Sequence, residues 1–115
     1  MQVRFTNSYG PRIWVAIMRH NPSACGGHGD WQTMGWWAVD QGQTVAAFST
    51  SNRYSTFYAE AEDGAVWGGP YGPMYVYWDA FDSCINIGST AAYDVVGTQL
   101  IDGNGYGTYT INLVG

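Results

Sequence analysis

Hydrophobic and polar positions alternate along this chain in short runs broken by turn residues. Residues 2–7 place Val3 and Phe5 on one face and Arg4 and Thr6 on the other, the two-residue period of a half-buried strand. Tyr9-Gly10-Pro11 reads as a turn. Ile13, Val15 and Ile17 then share one face, and Trp14, Ala16 and Met18 the other. A run apolar on both sides belongs in the middle of a fold, and its short length and branched residues favour a strand over a helix. Gly and Pro punctuate residues 21–30, which predicts a loop. Extended structure resumes over 31–39 around Trp36, Trp37 and Val39. Asp40-Gln41-Gly42-Gln43 predicts a hairpin connection into Thr44–Phe48, and residues 49–53 read as polar loop.

The clearest strand comes next. Phe57, Ala59 and Ala61 face one way, and Tyr58, Glu60 and Glu62 the other. Asp63-Gly64 is a strong turn signal that returns the chain through Ala65-Val66-Trp67. Residues 68–73 read as loop or bulge. Residues 74–87 are ambiguous, because Trp78-Asp79-Ala80-Phe81-Asp82 has helical spacing that fits one short turn. Val95–Ile101 extends, Asp102-Gly103-Asn104-Gly105 turns, and Thr108–Leu113 completes a hairpin with Tyr109, Ile111 and Leu113 facing the core. The pattern predicts an all-β fold: one compact antiparallel domain over residues 1–115, a β-sandwich or flattened β-barrel.

Composition narrows the function classes. Aromatics make up 17% of the 115 residues and charged groups 11%, which excludes a disordered chain. Four Arg, no Lys and nine acids give a net charge of −5. Arg4, Arg12, Arg19 and Arg53 are too few and too dispersed for the basic footprint that phosphate backbones require, so no nucleic-acid partner is expected. No stretch reaches the apolar length of a membrane span, so no membrane insertion is expected. Met1-Gln2-Val3-Arg4-Phe5 enters alternating sequence at once and has no signal-peptide core. Two locations stay open: cytoplasmic, or extracytoplasmic with a leader removed, the latter if the cysteines pair. Cys25 and Cys84 are the only cysteines and are expected to lie close together. As a disulfide they would close a long loop worth roughly 3–4 kcal/mol; as free thiols they would be small buried apolar residues.

The short motifs Arg4-Phe5-Thr6-Asn7, Ile13-Trp14-Val15-Ala16, Gly35-Trp36-Trp37 and Phe57-Tyr58-Ala59-Glu60-Ala61 are followed by Trp67-Gly68-Gly69, Ala80-Phe81-Asp82 with Cys84, and Tyr109-Thr110-Ile111-Asn112-Leu113. Together they resemble the DUF1036 domain family of small bacterial proteins, and the resemblance spans nearly the whole chain. That family has no assigned activity, so the resemblance implies no catalytic residue. A Cys25–Cys84 pairing is compatible with it.

Candidate chemistry is sparse. His20, His28, Cys25 and Asp30 could make a small zinc site, against the plainer reading of two exposed histidines near a structural cysteine. Glu60 and Glu62 project from one strand face, as an acid pair for glycoside hydrolysis would, and as ordinary solvated sheet faces also do. With Asp63, Asp79 and Asp82 they could instead supply oxygens to calcium. The sequence has no nucleophile elbow or phosphate loop, and the glycines at 103–107 lie between strands and open no helix. No cofactor is expected, and an enzyme is disfavoured.

The aromatic excess is the strongest signal. Trp36 and Trp37 are adjacent, so an extended backbone sends them to opposite faces. Exposed Trp and Tyr beside Asp, Asn and Gln suit sugar recognition, so the expected function is a noncatalytic binding module for a neutral glycan or another neutral ligand. The expected ligand-binding residues are Trp36, Trp37, Trp67, Trp78, Glu60, Glu62, Asp79 and Asp82. The alternatives are a structural or self-associating protein that uses the aromatics against a protein partner or as a homo-oligomer, and a hydrolase using the paired carboxylates.

Overall fold

The computed structural model describes residues 1–86, 92–103 and 107–115, with the side chain of Tyr93 left out. Among the described residues ten strands form: β1 (Gln2–Asn7), β2 (Ile13–His20), β3 (Trp31–Val39), β4 (Thr44–Ser49), β5 (Tyr54–Ala61), β6 (Val66–Trp67), β7 (Tyr71–Tyr77), β8 (Phe81–Cys84), β9 (Ala92–Asp102) and β10 (Thr108–Leu113). A one-turn helix, α1 (Pro22–Cys25), sits in the glycine-rich segment after β2, where Asn21 caps its N-terminus.

The strands divide between two sheets. A small sheet has the order β10-β1-β4, and a large one the order β7-β9-β5-β2-β3-β8, with β6 added along β5. Every pairing in the large sheet is antiparallel. This sheet curls into a half-barrel, and only residues 78–80 separate β7 from β8, its two edge strands.

The central β2 has a core on each face, as its two apolar faces predict. Ile13, Val15 and Ile17 pack with Phe57, Ala59, Ala61, Val39 and Ile101 against Val3, Phe5, Phe48 and Leu113 of the small sheet. Ala16 and Met18 pack on the other side with Tyr58, Met74, Val76 and Val96, inside the curl. The first core makes the molecule a sandwich, and the second fills the half-barrel.

Three local expectations are corrected. Residues 40–43 do turn, with Gly42 at φ 74° and the Gln43 N–H donating to the Asp40 carbonyl, but β3 and β4 leave the turn into different sheets. The connection is an arch between layers. β10 pairs in parallel with β1, so β9 and β10 form no hairpin. The turn expected at 102–105 falls partly outside the described residues. Trp78–Asp82 forms no helical turn; it leads from a bend into strand β8, whose pairing with β3 outweighs the helical spacing. The Asp63-Gly64 hairpin forms as expected, with Gly64 at φ 92°, and the bulge expected near 68–73 falls between Tyr71 and Met74 of β7.

Cys25 and Cys84 form a disulfide with a Cα separation of 5.6 Å and a sequence separation of 59. The bond ties the α1 segment to edge strand β8.

Candidate functional site

A cleft of about 300 Å³ opens at one end of the half-barrel, lined by Trp14, Trp36, Glu60, Tyr77 and Trp78. Register explains its composition. Trp14 of β2 and Glu60 of β5 are cross-strand partners, and both point to the face that holds Ala16 and Tyr58. In β3, Val15 pairs with Trp37 and Ala16 with Gly35, leaving Trp36 as an extra, bulged residue. The bulge carries Trp36 to the concave face and Trp37 to the sandwich core. Tyr77 and Trp78 come from the end of β7, where the chain crosses toward β8.

Trp36 is locked in place. Its Nε1–H donates to the Tyr77 carbonyl at 2.7 Å, and its ring meets Phe81 and Tyr58 edge-on at centroid distances of 5.7 and 6.3 Å. Phe81 also tilts against Tyr77 at 5.1 Å. Gly35 makes room for this cluster: a Cβ there would lie 2.6 Å from the Phe81 ring. Trp78, in contrast, is 78% exposed at the rim. A second hollow of about 250 Å³ continues past it along Tyr77, Asp79, Ala80 and Phe81.

The electrostatics of the cleft have one sign. The Tyr58 hydroxyl donates to Glu60 Oε2 at 2.9 Å. Burial, then this bond, raises the Tyr58 pKa above its ordinary value, so the phenol keeps its proton and remains a donor. None of the four arginines lines the cleft. Arg12 and Arg53 pair with Asp40 and Asp102, Arg4 bonds Gln2, and Arg19 bonds Gln32.

The expected site residues separate accordingly. Trp36, Trp78 and Glu60 come together in the cleft, and Asp79 lies in the adjoining hollow. Trp37 packs on the sandwich core. So does Trp67, whose N–H donates to the Val114 carbonyl and whose ring meets Tyr9 edge-on at 5.2 Å. Asp82 accepts from Gln32 Nε2 at 2.6 Å, and Gln32 in turn accepts from Arg19, a chain that fastens β8 to β3 and β2. Glu62 is exposed beyond the end of β5, near Arg12.

Trp14 and Tyr77 are site residues that the sequence reading missed. Trp14 already shared a face with Ala16 and Met18, but its neighbour Glu60 becomes visible only through the β2–β5 pairing. Tyr77 lay in the segment of mixed period.

Among the described residues no group of three His, Cys, Asp or Glu side chains could hold a metal ion, which removes both the zinc and the calcium arrangements. The zinc set has also lost its thiolate to the disulfide. Among the described residues Glu60 is the only carboxylate lining the cleft, so the acid pair of a glycosidase is not assembled there. No helix among the described residues is long and apolar enough to cross a membrane. Comparison with protein-family models, curated proteins and solved structures finds no match.

Proposed function

We propose that this protein is a noncatalytic binding module that holds its ligand at the aromatic cleft. The observation that carries this reading is Trp78, a large apolar side chain 78% exposed at the rim of a hollow walled by Trp14, Trp36 and Tyr77. A concave aromatic surface with one fixed polar group is the usual composition of a small-ligand site. In its carbohydrate form, a sugar ring lies on Trp78 while Glu60 and Asp79 accept hydroxyl hydrogen bonds. The motifs resembling the DUF1036 family remain part of this reading and add no ligand to it. The Cys25–Cys84 disulfide supports an extracytoplasmic, oxidising location.

A broad glycan array with the wild type and Trp78→Ala tests the proposal. The expected result is specific binding that weakens about 30-fold in the variant, the loss of a binding anchor worth about 2 kcal/mol, with an unchanged melting temperature. Equal binding by the variant removes Trp78 from the site. The exposure of Trp78 also favours a second reading, self-association. A dimer on size-exclusion chromatography that Trp78→Ala converts to monomer, with no glycan bound, would replace the first reading by this one.

A further inference from the structure

We infer that the chemical group this cleft takes is an organic cation, an N-methylated or quaternary ammonium head. The inference rests on the cleft being the binding site and names what enters it.

Three indoles and a phenol line the hollow, and among the described residues the only charge lining it is the carboxylate of Glu60. Aromatic faces carry negative potential, and a desolvated cation among several of them gains more than any neutral group of equal size. Glu60 adds a full negative charge beside Trp14, its cross-strand partner. No guanidinium lines the cleft to oppose this, and the whole chain carries −5 with no lysine. The field at the site therefore attracts cations both at contact and at long range.

Two donors at this face are already used, the Trp36 N–H by the Tyr77 carbonyl and the Tyr58 hydroxyl by Glu60. An alkylammonium needs no donor from the protein; it needs ring surface and a counter-charge. Size agrees too, because about 300 Å³ lies at the small end of ligand sites, suited to a head group or a single ring. The rest of the ligand passes over the exposed Trp78 into the hollow beside Asp79.

Calorimetric titration of the intact, oxidised protein with tetramethylammonium, choline and 3,3-dimethyl-1-butanol, the uncharged isostere of choline, tests this. Both cations are expected to bind, with the isostere at least tenfold weaker than choline. Glu60→Gln keeps an acceptor for the Tyr58 hydroxyl and is expected to weaken choline roughly tenfold while leaving the isostere unchanged. Trp78→Ala is expected to weaken both cations, and this exposed position keeps the fold intact if Glu60→Gln does not. Equal affinity for choline and its isostere, or unchanged choline binding in both variants, overturns the inference. Neutral glycans that bind at Trp78 and are not displaced by choline overturn it while leaving the proposed function standing. Absence of cation binding, together with absence of any Trp78-dependent ligand on the array, overturns both. The choice between a free solute and a head group borne on a larger molecule is read by repeating the titration with a phosphocholine-bearing glycan and a trimethyllysine peptide. Tighter binding than choline marks a ligand-borne head, and weaker binding marks a free solute.

Discussion

Replacing Asn7 with alanine should cost far more than a polar residue at a strand end ordinarily does. Asn7 is fully buried, and its amide joins three segments. Nδ2 donates to the Val39 carbonyl at 3.0 Å and the Pro11 carbonyl at 2.8 Å, and Oδ1 accepts from the Tyr9 and Gly10 N–H groups at 3.0 Å each. These bonds fix the end of β1, in the small sheet, to the end of β3 and to the loop entering β2, in the large one. Alanine removes all four at once, together with a longer donation from Nδ2 to the Gly10 carbonyl at 3.4 Å. The bond to Val39 is buried, and losing its partner carries a desolvation penalty of about 1–3 kcal/mol. The other three lie where water partly replaces the amide, at about 0.5 kcal/mol each. The sum is about 3 kcal/mol. At about 4 °C per kcal/mol for a chain of this size, the melting temperature should fall by about 12 °C. Urea unfolding should show an earlier midpoint with an unchanged slope. Thr110→Ala, at an exposed position on β10, is the control and should shift stability by less than about 0.5 kcal/mol. A loss below about 1 kcal/mol for Asn7→Ala would refute the view that this amide joins the two sheets.

Other outcomes follow from the same structure. The Cys25→Ser/Cys84→Ser double variant should lose about 4 kcal/mol in urea unfolding, from the loop of sequence separation 59 that the disulfide closes; a loss under about 1 kcal/mol would contradict the entropic account. Gly35→Ala should destabilise by about 2 kcal/mol and weaken cleft ligands, because its Cβ meets a Phe81 ring that Trp36 and Tyr77 hold in place; wild-type stability would show that the ring moves freely. The folded protein holds the Tyr58 proton above the ordinary phenol pKa of 10.0, so above that pH the native state binds more protons than the unfolded chain. This contribution to stability is fully present below pH 10 and is lost as pH rises beyond it. Tyr58→Phe should therefore show a shallower alkaline decline in denaturation midpoint than the wild type, and equal slopes would rule the contribution out.

What the sequence determined by itself was which side of each strand is buried. Alternation at Val3 and Phe5, at Phe57, Ala59 and Ala61, and at Tyr109, Ile111 and Leu113 assigned inward faces that the cores reproduce, because a period of two is a local property of extended backbone. The two-faced apolar run at Ile13–Met18 likewise announced a strand between two cores. Trp36 and Trp37 do lie on opposite faces, but at a bulge, which alternation alone does not place. Partners were not legible. Whether β10 lies beside β9 or β1, and whether β4 folds back on β3 or crosses to another sheet, depends on contacts between distant segments that share the same local pattern. The site was half visible for that reason. Glu60, Trp36 and Trp78 stood out by chemistry, but Trp14 joined them only through the β2–β5 register, and Tyr77 only where the two edges of the curled sheet meet. Trp67 and Asp82 carried the same chemistry and were drawn elsewhere, one to the Val114 carbonyl and the other to Gln32. Residue type limits what a side chain can bind, and the long-range pairing of strands decides what it meets.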